Sequence, residues 1–325
     1  MDFPWQSEIL VMTIEAYITR FENLRRNKSG GRERPHKICM LLAVLDLAKA
    51  GGLEENKIYL NPELVERYTG FFKVASMTDE RPNPHYPFFY LRGKLANNES
   101  SFWHLHPVYG RELLIESLEV SKASDVSNNI EYASLDSELF DLLQDLENIE
   151  RFEESLTRYW FDRGHADLSS VVKASGAISD YERQIRKGEL GAIRSGEADS
   201  VRSPAFRRVV TQIYDYRCAA TGIRFLLPSG EAMVEAAHIH PFSEAGDDDP
   251  RNGLALTPNI HWAMDRSLIA PGPDRLWHVS KVLDKGIPDF QMLTNLEGMP
   301  LFLPSELRFS PKEESLIWRL ERLRK

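Results

Sequence analysis

The sequence predicts an α+β protein: a mainly helical N-terminal domain, a helical connector and a C-terminal unit built from a hairpin and a short helix. Three observations predict it. Apolar residues recur at helical spacing through much of the chain before Ser200, as in Ile9, Ile14, Ile18, Phe21 and Leu24. Proline opens and glycine closes several of these runs. Past Arg202 the pattern changes to a short apolar strand, a polar loop and a helix started by Pro258.

The N-terminal domain is expected over residues 1–111. Its central helix reads Arg34-Pro-His-Lys-Ile-Cys-Met-Leu-Leu-Ala-Val-Leu-Asp-Leu-Ala-Lys-Ala50 and stops at Gly51-Gly52. Ile58-Tyr-Leu60 reads as a short strand, and Pro62 starts a helix through Tyr68. Tyr86-Pro-Phe-Phe-Tyr-Leu91 and Phe102-Trp-His-Leu105 are aromatic segments expected to pack. Residues 112–200 read as the connector and a candidate dimerisation element. There Leu135, Leu139, Leu142, Leu143 and Leu146 form one apolar stripe, and Tyr181–Gly188 ends a second helix. In residues 201–325 a helix is expected from Pro204 to Tyr214, a turn at Cys218–Gly222, and a strand from Ala232 to Ile239.

A chain of 325 residues with 42% hydrophobic content can bury more than one core. It has no apolar run of membrane-spanning length and no basic-then-apolar leader, and two cysteines cannot build a disulfide framework or a four-cysteine zinc site. These features point to a cytoplasmic protein with no membrane association. The net charge of −9 is unevenly spread. Thirteen acidic residues face only Lys122 and Arg151 between Glu112 and Glu154. Seven basic residues against two acidic ones lie between Arg20 and Lys37, and five arginines against Asp215 lie between Arg202 and Arg224. Phosphate attraction follows the local field, so the acidic total leaves nucleic acid open as a partner.

The chemistry concentrates in Val234-Glu-Ala-Ala-His-Ile-His-Pro241, Asn252-Gly253 and His261-Trp-Ala-Met-Asp265. A histidine on a strand can take a proton from water at neutral pH, which makes His238 the candidate general base. His261 and Asp265, one helical turn apart, project from one face and can share a divalent cation that offsets charge on a phosphodiester. Asn252 is suited to bridge the loop by side-chain hydrogen bonds. His240 shares a face with His238 and is a candidate phosphate contact, as are Arg207, Arg208 and Arg217. Asp247-Asp248-Asp249 reads as a solvated loop.

Together with Tyr214-Asp-Tyr-Arg-Cys-Ala-Ala-Thr-Gly222 and Asn252-Gly-Leu-Ala-Leu256, these motifs resemble an HNH endonuclease domain, the ββα-metal fold. The resemblance covers about Arg202 to Val279. It implies His238, Asn252 and His261 as the catalytic set, and metal binding by His261 and Asp265 with Mg²⁺ or Mn²⁺. It also implies 5′-phosphate and 3′-hydroxyl ends. One departure stands out: many such domains place aspartate or histidine immediately before the general base, where this chain has Ala237. Glu235, on the same strand face as Ala237, is the candidate replacement ligand.

In the N-terminal domain, Arg34-Pro-His-Lys37, Pro84-His-Tyr-Pro-Phe-Phe-Tyr-Leu-Arg92 and Phe102-Trp-His-Leu105 resemble the sulfur-binding domain of phosphorothioate-dependent restriction endonucleases. Those enzymes join that domain to a C-terminal HNH nuclease. Sulfur is less well hydrated than oxygen, so an apolar dimple beside basic groups favours it. Tyr86 and Pro87 are the candidate wall, with Arg34, His36 and Lys37 beside it. Arg92 and His104 are candidate base or backbone contacts, and Arg25, Arg26, Lys28 and Arg32 add phosphate attraction. The expected activity is a modification-dependent endonuclease acting on phosphorothioated duplex DNA as a homodimer. Two alternatives stay open: an HNH nuclease reading another mark such as methylated cytosine, and a DNA-binding regulator with an inactive HNH fold.

Overall fold

The computed structural model describes residues 14–29, 32–76, 80–189, 199–227 and 231–325. Ile9, the first residue of the predicted N-terminal stripe, lies outside them. Described residues up to Asp180 form one compact unit and those from Tyr181 onward a second. The class is α+β. Helices predominate, and all four sheets among the described residues are two-stranded and antiparallel.

The first unit is built around the helix His36–Lys49, which is apolar on nearly every side and buried from Ile38 to Leu47, its one buried acid, Asp46, being paired with Arg67. It packs on the helices Pro62–Ala75 and Leu146–Asp162. Pro62 occupies the first turn, and the Asn61 side chain accepts from the Leu64 amide at 3.0 Å, which fixes where that helix starts. The aromatic segment is itself a helix, His85–Tyr90, with Phe88 and Phe89 in the core. Trp103–Pro107 is a strand paired with Ile130–Leu135, and the segment at Ile58 adds only a single bridge to Ala133. Residues 112–180, read from the sequence as connector, share this core: Leu139, Phe152, Leu156 and Trp160 cluster with Phe21, Ile38 and Phe88.

The leucine stripe is not one helix. Leu135 ends a strand, Ser137–Leu142 is a short helix, and Leu146 begins the next. Asp136 and Asp145 sit at the N-caps of the two helices, and the Asp145 side chain accepts from the Glu147 amide at 2.9 Å. The Asp145 cap starts a new helix at Leu146, while the Asp136 carboxylate is taken by Tyr17, Arg20 and His104, and the stripe is cut.

In the second unit the strand Glu235–His238 pairs antiparallel with Gly253–Leu256, in a register that sets His238 opposite Gly253. Thr257 is extended, as a residue before proline prefers, and Pro258 opens the helix Pro258–Asp265, which packs on the Glu235 strand. The helix Asp199–Ile213 covers the hairpin with Phe206, Val209 and Val210. It begins before Pro204, which lies inside it, so the predicted start was one turn late. A Cβ on Gly253 would stand 2.6 Å from Val210 Cγ2 and 2.9 Å from Phe206 Cζ, so glycine there sets how closely this helix approaches. No helix among the described residues is long and apolar enough to cross a membrane.

Candidate active site

The hairpin and the Pro258–Asp265 helix position the predicted catalytic residues. His238 ends its strand with the imidazole laid face to face on Phe206, centroids 3.9 Å apart and planes 3° from parallel. Its Nε2 lies 2.9 Å from Asp248 Oδ1. Asp248 is buried, accepts from Arg202 Nη1 at 2.9 and 3.0 Å, and accepts from the Tyr181 hydroxyl at 2.9 Å.

Asn252 is fully buried at the other end of that loop. Its Oδ1 accepts from the His240 amide at 2.9 Å, and its Nδ2 donates to the carbonyls of His240 and Asp247 at 2.9 and 3.1 Å. One side chain therefore ties the strand end after His238 to the turn that carries Asp248. The expectation of a solvated Asp247–Asp249 loop is overturned. Asp247 pairs with Lys312 at 2.7 Å, and Asp249 caps the 250–252 turn and grips Arg251 at 2.6 Å. Three adjacent carboxylates are tolerated because each has its own cation.

On the helix, His261 stands between two carboxylates: Nδ1 lies 2.9 Å from Glu235 Oε2 and Nε2 lies 3.5 Å from Asp265 Oδ2. Glu235 thus reaches the metal candidates across the gap left by Ala237, whose own side chain is buried. One imidazole and two carboxylates are the donor chemistry of a divalent cation. As placed, His261 spends both ring nitrogens on those carboxylates. Among the described residues no three His, Cys, Asp or Glu side chains are already disposed around a cation position.

Sequence reasoning missed a buried arginine. Arg319, from the helix Glu313–Glu321, donates to the carbonyls of Ile239 at 2.6 Å, His238 at 3.1 Å and Met264 at 3.4 Å. It clamps the end of the His238 strand to the end of the helix bearing His261 and Asp265, and so fixes the separation of the two halves of the site.

Residues 218–270 match the protein-family model of the HNH endonuclease, HNH_2. They form an HNH endonuclease domain. One solved structure, the "Modification dependent TagI restriction endonuclease", is similar at 23% identity over 38% of this chain and 39% of that one. Its TM-score of 0.30 is too low for that likeness to speak for fold or activity. No curated protein matches.

Of the candidate phosphate contacts around the HNH domain, Arg208 is a correction. Its Nη1 is 2.8 Å from the buried Glu182 carboxylate, and an arginine that neutralises an internal acid has no charge to lend to a phosphate. Arg217 pairs with Asp215 at 3.3 Å. His240 stacks on Trp318, centroids 4.1 Å apart, and Arg207 is exposed.

The first unit holds a cavity of about 380 Å³ lined by Arg26, Asn27, Arg34, His36, Lys37, Tyr86, Pro87 and Tyr90. Five of the seven residues singled out for recognition meet there. The His36–Lys49 helix presents His36 and Lys37 from its first turn, and the His85–Tyr90 helix presents Tyr86 and Pro87. Burial holds the His36 imidazole below its ordinary value, and its Nδ1 has no hydrogen-bond partner. The Lys37 ammonium is pushed down to about 8 by burial, with Arg26 and Arg25 adding repulsion. Arg34 pairs with Glu80 at 3.0 Å.

Arg92 and His104 are not in this lining. Arg92 donates to the Ile115 carbonyl at 2.9 Å and covers Phe89, so its guanidinium is spent on holding a loop. His104 faces Asp136 at 2.7 Å on the strand Trp103–Pro107. Arg92 is withdrawn as a DNA contact for that reason. Arg26, expected to add phosphate attraction, completes the lining with Asn27 and Tyr90, which were not singled out. A helix-spacing reading of the aromatic segment, Tyr86 to Tyr90 at i and i+4, would have found the last of them.

Proposed function

We propose that this protein is a modification-dependent restriction endonuclease that recognises phosphorothioated duplex DNA and hydrolyses its phosphodiester bonds. The observation that carries the nuclease reading is the hairpin–helix unit itself. It holds His238, Asn252, His261 and Asp265 within residues that match the HNH family model. His238 serves as general base, Asn252 keeps its loop in place, and a divalent metal, Mg²⁺ or Mn²⁺, would be held by His261 and Asp265 with Glu235. When bound, that ion supplies positive charge against the phosphate under attack. Each HNH site cuts one strand, so double-strand cleavage calls for a homodimer.

The reader is the first unit's cavity. Its Lys37 side suits a backbone phosphate, Arg26 and Arg34 beside it being paired with Glu33 and Glu80, and its Tyr86–Pro87 side suits a poorly hydrated sulfur. Cleavage of phosphorothioated and unmodified plasmids in parallel, with K37M and Y86A variants, tests this. The reader assignment predicts sulfur-dependent cutting that both variants lose. Equal cutting of the two plasmids removes the sulfur specificity and leaves the nuclease.

A second reading keeps the nuclease and changes the mark. A cavity of about 380 Å³ flanked by Tyr86 and Tyr90 also has room for a flipped methylated cytosine. Competition between duplexes carrying one modification or the other separates the two.

A further inference from the structure

We propose that Asp248 is a positioning residue for the nuclease: it holds His238 as the Nε2–H tautomer and makes Nδ1 the nitrogen that accepts the proton of the attacking water. The inference rests on the nuclease reading above and specifies which atom of His238 acts.

The argument is one of donors and acceptors. Both oxygens of Asp248 take hydrogen bonds from Arg202, and Oδ2 takes another from the Tyr181 hydroxyl. A carboxylate paired to a guanidinium only accepts, so the imidazole nitrogen 2.9 Å from Oδ1 must be the one that donates. In the neutral ring the lone pair then lies on Nδ1. The ring cannot escape by tilting, because Phe206 lies flat against it at 3.9 Å and the missing side chain of Gly253 lets Phe206 come that close.

The proton and bond changes follow. An O–H bond of water breaks, its proton goes to Nδ1, and the water oxygen bonds to phosphorus. The bond from phosphorus to the leaving O3′ breaks, and that oxygen takes a proton from solvent. His238 is an imidazolium after the first transfer, with Asp248 facing its other nitrogen. The arrangement reaches beyond the family-matched stretch. Tyr181 belongs to the helix Ser169–Lys187, and Arg202 and Phe206 to the helix Asp199–Ile213. Residues 218–270 alone lack all three partners that hold the acid and the base in place.

The test is a histidine tautomer measurement on the full chain labelled with ¹⁵N-histidine, with H238Q to assign the His238 signals, in the wild type and in D248N. The wild type is expected to show the Nε2–H pattern for neutral His238. D248N, whose amide presents a donor to Nε2, is expected to lose it. Its kcat should fall about 100-fold or more, the scale of a lost general base, with KM for duplex DNA within about twofold. An Nδ1–H pattern in the wild type overturns the proposal, as does a D248N enzyme with wild-type kcat. The wild-type tautomer, once its signals are assigned with H238Q, is read without any cleavage. An inactive wild type would therefore sink the nuclease reading while the tautomer is still read.

Discussion

Gly253→Ala isolates the contact that seats His238, the proposed general base. Gly253 has φ −122° and ψ 148°, ordinary extended backbone, so alanine costs nothing in conformation. It would gain about 0.4–1 kcal/mol by restricting the unfolded chain. Against that, the new methyl meets Val210 Cγ2 at 2.6 Å, Phe206 Cζ at 2.9 Å and the Pro250 carbonyl at 3.2 Å. Val210 is fully buried and β-branched, so it cannot swing away, and overpacking of this kind costs about 1–3 kcal/mol. The overlap outweighs the entropy, and a net loss of about 1–2 kcal/mol is expected. The strain also displaces Phe206 from His238, so cleavage should fall more than stability alone explains. Urea unfolding of G253A, V210A and the double variant measures the overlap directly. The two changes should be coupled, with the double variant about 1 kcal/mol or more better than the sum of the singles. Additive effects, or a G253A protein as stable and active as wild type, would refute the packing account of His238.

Other predictions follow from the same geometry. Asn252→Ala strands a buried amide and two carbonyls, and should cost about 3 kcal/mol or more at roughly 1–3 kcal/mol for each unsatisfied group. Denaturation, together with faster amide exchange at His240, checks it. His261→Ala and Asp265→Ala should each abolish metal-stimulated cleavage and leave binding to modified duplex intact, and chelation of the wild type should match them. Lys37 carries a pH signature. Its folded-state value lies below the ordinary 10.5, at about 8, so burial penalises the ammonium at neutral pH. The unfolded chain holds more protons between those values, and stability from this group rises as pH climbs from about 8 to 10.5. Binding of an anionic backbone needs the charged form, so affinity for modified duplex should fall over the same rise. K37M should bind weakly at every pH and lose that dependence, as titrations by anisotropy would show.

The legible parts of the site are those set by local spacing. Pro258 after an extended Thr257 starts the helix, and the i, i+4 rule puts His261 and Asp265 on one face. Pro35-His36-Lys37 and Tyr86-Pro87 each mark the first turn of a helix, and the fold turns both toward one cavity. What could not be read depends on contacts distant in sequence. Nothing local distinguishes Asp248 from Asp247 and Asp249, and only Arg202, Tyr181 and Lys312 decide which of the three turns inward. Arg208 looks like a phosphate ligand until Glu182 is found beside it, and Arg319 reaches a carbonyl eighty positions away. Buried charge pairs leave no periodic trace, so charges read as surface are where the sequence misleads.

The most direct measurement is cleavage of matched phosphorothioated and unmodified plasmids in Mg²⁺ or Mn²⁺, by the wild type and by H238A. The account predicts cutting of the sulfur-bearing plasmid alone, abolished in H238A while binding to that plasmid persists. Metal-dependent cutting that survives H238A would contradict it, because the hairpin–helix site would then not be where the phosphodiester is broken.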